Sequence, residues 1–172
     1  MADSPEKRTD ERKPGHAALP PDQALLYAQD LAAARASMRT LSRRIAAKGR
    51  AGTRKILIAD DDPSLRLLVS TTLSGEEYQI LEAGTGIDAL VITKAQRPVL
   101  VLLDVNMPDL DGLEVCRRIK ADPELQDVKV VMLTGAAEPS DQQAGLAAGA
   151  DTYLTKPFRP LELLKVVDSA TA

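Results

Sequence analysis

The sequence is poor in several residue types at once: its 172 residues include one cysteine, one histidine, one phenylalanine, three tyrosines and no tryptophan. A single thiol excludes an internal disulfide. Cys116 falls between Leu113 and Ile119 at helical spacing, so it reads as packing rather than as a reactive thiol. His16 sits in a polar stretch with Pro14 and Gly15, where nothing would fix its ring, which argues against a metal or phosphotransfer role. The longest apolar run, Val99 to Leu103, is far too short to cross a bilayer, and the opening MADSPEKRTDERKPG has no signal-peptide core. The expectation is a cytoplasmic protein without membrane insertion. Arg35, Arg39, Arg43, Arg44 and Lys48 form a basic row, but no aromatics interleave for base stacking, so direct nucleic-acid contact is not expected.

What is present divides the chain in two. Residues 1–55 hold 12 Lys/Arg and 6 Asp/Glu, net +6, whereas residues 56–172 hold 10 and 19, net −9, which sum to the overall −3. With 44% apolar residues there is enough for one core, but no room for a second enzyme domain. Residues 1–20 have the composition of a disordered polar tail. From 21 to 49 the pattern is amphipathic: Ala24, Tyr27, Leu31, Ala34, Met38, Leu41 and Ile45 recur at alternating spacings of three and four, the seam of a coiled coil. Such a helix needs a partner. A homodimer through 24–45 is the expected one, with Asp30 of one helix facing Arg35 of the other; folding back on the globular domain and a different helical partner are the alternatives. A linker over 50–54 leads to a domain over 55–172.

Within that domain four short apolar runs, KILIADDDP, VLVLLDVNMPDLDG, VKVVMLTG and DTYLTKPF, are bounded by turn residues and read as strands buried on both faces. Stretches of helical spacing lie between and after them: Ser64–Leu73, Gly86–Ala95, Leu113–Lys120, Ser140–Ala148 and Leu161 to about Asp168. Alternating strands and helices predict a doubly wound α/β fold with a parallel sheet. Ligands of such sheets bind beyond the carboxyl ends of the strands, where Asp60, Asp61, Asp104, Thr134 and Lys156 all fall.

Each of these has an ordinary reading alone: a solvated acidic loop, a strand-end threonine, a surface lysine. Asp62 before Pro63 reads as a helix N-cap. Brought together, however, three carboxylates repel, and a hard divalent cation relieves them; a small all-oxygen donor set suits Mg²⁺ better than Ca²⁺. A cation, a lysine ammonium and a threonine hydroxyl are the groups that hold phosphoryl oxygens in line with a carboxylate nucleophile.

From about Arg54 to about Ser169 these motifs resemble the CheY-like receiver domains of two-component response regulators. The resemblance implies a five-stranded, flavodoxin-like parallel sheet with Asp104 as phosphoacceptor. It implies Mg²⁺ held by Asp61 directly, by Asp60 through water, by Asp104 and by the Asn106 backbone carbonyl. Thr134 would be the switch hydroxyl, Lys156 the phosphate-pairing lysine before a cis bond to Pro157, and Tyr153 the aromatic switch, although a half-buried strand-end tyrosine is the alternative. Met107, Pro108 and Gly112 fit the loop after the phosphoacceptor, with Gly112 supplying a backbone conformation closed to other residues. Implied partners are a histidine kinase or phosphotransfer protein and a downstream protein target. With no output module after the last helix, signalling is expected through the receiver surface or the N-terminal helix. Two other readings stand beside this one: an inactive receiver serving as a dimerisation module, and an aspartate-nucleophile phosphatase. Haloacid-dehalogenase-like enzymes carry a second acid two residues after the nucleophile; Asn106 in that place argues against an enzyme.

Overall fold

The computed structural model describes residues 29–30, 32–33, 53–75, 77–135 and 139–172. Five strands, β1 (Arg54–Ala59), β2 (Tyr78–Ala83), β3 (Leu100–Asp104), β4 (Lys129–Thr134) and β5 (Thr152–Thr155), alternate with helices α1 (Pro63–Leu73), α2 (Gly86–Gln96), α3 (Gly112–Ala121), α4 (Pro139–Ala147) and α5 (Pro160–Thr171). The sheet order is β2-β1-β3-β4-β5, and every pairing is parallel. All four strands and all five helices expected within the 55–172 domain are present. The tail over 1–20 and most of the 24–45 seam lie outside the described residues, as does Arg35.

The continuous apolar runs form two separate cores because successive strand residues point to opposite faces. Leu57, Ala59, Val101, Leu103, Val130 and Met132 face one side, where they meet Ala89 of α2 and Val115, Cys116 and Ile119 of α3. Ile56, Ile58, Leu100, Leu102, Val131 and Leu133 face the other, against Val69 and Leu73 of α1 and Leu163 and Val167 of α5. Each fully buried Leu or Ile contributes roughly 1.5–3 kcal/mol. Cys116 is in the first core, and burial pushes its thiol up to about 11, as inert packing requires.

β2 was not visible as an apolar run. It is an edge strand, YQILEA, whose Gln79 and Glu82 are exposed, so its pattern is diluted by polar residues. Its buried Tyr78 is anchored instead by a 3.2 Å hydrogen bond between its hydroxyl and Thr171 at the end of α5.

Gly112 is required for a different reason from the one expected. Its backbone is not left-handed; in that loop Asp109 takes the positive φ, 70°. A Cβ on Gly112 would instead sit 1.9 Å from the carbonyl oxygen of Asp104 and 2.8 Å from its carbon, while its N–H donates to Val105 O at 2.8 Å. Backbone cannot yield as a side chain can. Gly112→Ala should therefore cost roughly 1–3 kcal/mol through overpacking, whereas Gly75→Ala, with nothing within 4 Å, should stay within about 0.5 kcal/mol. Urea unfolding of both variants checks the contrast.

Candidate functional site

In a doubly wound sheet the crevice opens where the chain reverses its direction of winding. Here β1 lies between β2 and β3, so that point is the gap between the carboxyl ends of β1 and β3. Asp60 follows β1 directly and Asp104 ends β3. The topology thus forces two acids together, and Asp61 joins them: one carboxylate oxygen from each of Asp60, Asp61 and Asp104 lies within 4.8 Å of the others. Asp60 is fully buried, Asp104 almost so, and Asp61 exposed.

Asp62 stands apart, as expected. It N-caps α1 by accepting from Ser64 N at 2.8 Å, and its own N–H donates to Asp60 Oδ1 at 2.8 Å. The acid triplet is therefore split by geometry into a cap and two cluster members.

Lys156 is the cation of the site. Its Nζ is 2.5 Å from Asp60 Oδ2 and 3.0 Å from Asp104 Oδ1, and its N–H donates to Thr134 O at 2.7 Å, tying β5 to β4 at the same edge. Burial alone pulls the ammonium's pKa down, but Asp60 and Asp104 together carry it above the usual lysine value. The Lys156–Pro157 bond is cis. Asp104 is pushed above the usual carboxylate range, chiefly by burial, with Asp60 adding to the rise and Lys156 and the Asn106 N–H opposing it. Asp60 and Asp104 thus share the Lys156 ammonium. An oxygen-only donor set of three acids, one of them exposed, suits a hard divalent ion that keeps water ligands.

Thr134 adds a buried polar group at the same edge. Its hydroxyl is fully buried at the end of β4 and has no hydrogen-bond partner among the described residues. Leaving such a group unsatisfied costs about 1–3 kcal/mol, which an acceptor entering the crevice would recover. Tyr153 on β5 is 39% exposed, partly covered and partly facing outward, which fits a half-buried strand-end tyrosine as well as an aromatic switch. Asn106, two residues after the end of β3, is exposed.

One residue of the site escaped sequence reasoning. Arg66 of α1 donates from Nη1 to the Asp60 carbonyl at 2.7 Å and from Nε to Glu82 Oε2 at 3.2 Å, bracing the turn after β1 against β2. The available signal was its position one helical turn beyond Asp62.

Because the folded Asp104 has a raised pKa, folding without a cation favours its protonated form. Its contribution is fully present below the unfolded pKa and is lost as pH rises through the folded one. Cation-free Asp104→Asn should therefore melt above wild type near neutral pH, with the gap closing as pH falls into the carboxylate range; thermal scans across pH check this. In Mg²⁺ titrations, Asp61→Ala should lose binding, while Asp62→Ala should keep it and lose only about 1 kcal/mol of stability.

The model of the response regulator receiver domain matches residues 56–168. A probable transcriptional regulator, ycf27, of Porphyridium aerugineum is 42% identical over 125 residues, covering 69% of this chain and 51% of that protein. The DNA-binding response regulator MtrA of Mycolicibacterium smegmatis is 43% identical over 110 residues, covering 64% and 47%. The chain thus spans about half the length of these curated relatives. Among solved structures, the chemotaxis protein CheY4 of Vibrio cholerae superposes with a TM-score of 0.65 at 34% identity, over 69% of this chain and 99% of that one. A response regulator of Chloroflexus aurantiacus superposes with a TM-score of 0.67 at 32% identity, over 70% and 98%.

Proposed function

The chain belongs to the response regulator receiver family, and from that premise we propose that it is a cytoplasmic phosphoacceptor which takes a phosphoryl group on Asp104 and signals through protein contacts. Receivers interact with histidine kinases or phosphotransfer proteins, so the donor is a phosphohistidine on such a partner. An Asp104 carboxylate oxygen attacks phosphorus, the P–N bond breaks, and the imidazole leaves with the bond's electron pair. The observation that carries this reading is the meeting of Asp60, Asp61, Asp104 and Lys156 at one sheet edge beside the unsatisfied Thr134 hydroxyl.

Mg²⁺, held by Asp60, Asp61, Asp104 and the Asn106 carbonyl, would supply charge neutralisation for the transferring group. The chain's own groups do the rest. Lys156, already 3.0 Å from Asp104, pairs with a phosphoryl oxygen, and Thr134 donates its hydroxyl to another. Both contacts exist only after transfer, so they favour whichever conformation makes them. Turning a 1:99 equilibrium to 99:1 takes about 5.5 kcal/mol of such differential interaction. Exposed Tyr153 is the outward-facing residue through which β5 reports the change. The 24–45 seam supplies a homodimer contact, and a downstream protein reads the receiver surface. DNA binding is a property of the mycobacterial relative, of which this chain spans 47%. Turnover on an external substrate is not part of the reading.

With Mg²⁺ and acetyl phosphate or a phosphodonor kinase, intact-mass measurement should show one phosphoryl group on wild type and none on Asp104→Asn. Labelling that persists in Asp104→Asn rejects the assignment. Thr134→Ala should accept the group yet fail to switch, read as loss of the phosphorylation-dependent change in hydrogen exchange around β4 and β5.

A further inference from the structure

Asp30 lies 129 positions before Arg159, yet the two are paired: Arg159 Nε donates to Asp30 Oδ2 at 2.6 Å, and Nη2 faces the same oxygen. Gln29, Asp30, Ala32 and Ala33 are helical. Arg159 is the N-cap of α5, and its backbone N–H is occupied separately by Glu162 Oε2 at 2.8 Å, so the guanidinium is left for another partner. It follows β5, an edge strand of the sheet, and two large apolar side chains from this stretch, Tyr153 and Leu161, keep 39% and 38% of their exposure.

These facts bear on what the amphipathic helix packs against. In the sequence Asp30 stands beside Leu31 and three positions after Tyr27 of the apolar seam, and its carboxylate fixes one point of that segment at the turn between β5 and α5. Long-range charge points the same way: the segment 1–55 carries +6 and the remainder −9. We propose that the turn from β5 into α5 is a docking site for the chain's own N-terminal helix, held in cis by Asp30 on Arg159. The carboxylate that a parallel dimer would use against Arg35 is thereby already engaged, so docking competes with self-association through the seam. Arg159 also stands three residues after Lys156, which places the docked helix next to the segment that the phosphoryl group would engage; the cis contact itself does not depend on the phosphoacceptor reading.

A partly exposed ion pair shifts such an equilibrium by no more than about fivefold, so the pair biases docking rather than locking it. The test is hydrogen exchange on the full chain, at a low concentration where sedimentation shows a monomer, for wild type, Asp30→Arg, Arg159→Glu and the double charge swap. Peptides within 24–45 should exchange up to about fivefold faster in each single variant and return to the wild-type rate in the double one. Phosphorylation of Asp104 should stay intact in all four, separating failure of the docking from failure of the phosphoacceptor reading. Equal exchange in wild type and single variants, or no recovery in the double swap, overturns the proposal. So does protection that appears only at concentrations where the protein dimerises, since the helix would then be held by a second copy.

Discussion

Like-charge crowding at the junction of β1 and β3 is the constraint around which the domain is organised. The sheet order makes their carboxyl ends neighbours, and the sequence puts an acid on each. Lys156, arriving from the far edge of the sheet, reduces the repulsion between Asp60 and Asp104. Several other features serve that junction. Arg66 braces the Asp60 carbonyl, Gly112 lets the β3–α3 turn close against Asp104, and Asp62 withdraws from the cluster to cap α1.

Family membership and local geometry meet at this point from different directions. The receiver match runs over residues 56–168 and says what kind of pocket to expect. The buried Thr134 hydroxyl without a hydrogen-bond partner among the described residues and the raised pKa of Asp104 mark the same spot without reference to any relative. The similarity reaches only about half the length of the curated relatives, so it speaks to the receiver and not to what those proteins do as wholes.

Much of this was legible in the sequence, for identifiable reasons. β1, β3 and β4 are buried strongly enough that most of their residues must be apolar, and each ends on or just before a residue whose chemistry is conspicuous; β5 is short, with Leu154 alone buried, and was marked by the Lys156 that follows it. β2 was hidden because an edge strand tolerates Gln79 and Glu82 on its open side. Gly112 was recognised as necessary but for backbone freedom, when the actual cause is a close approach of two backbone segments distant from any dihedral signal. Arg66 and the Asp30–Arg159 pair were missed for a shared reason: an arginine's partner depends on where a long, flexible side chain is carried by the fold, and a linear pattern does not encode that.

The two cores share strands but no side chains, since alternate residues of β1, β3 and β4 belong to opposite layers. A substitution in one layer is thus screened from the other by the sheet itself. The α2–α3 flank and the α1–α5 flank can accumulate change on separate schedules, so long as neither moves the strand ends. Such a scaffold lets recognition surfaces diversify across paralogues while the acidic crevice between them stays in place.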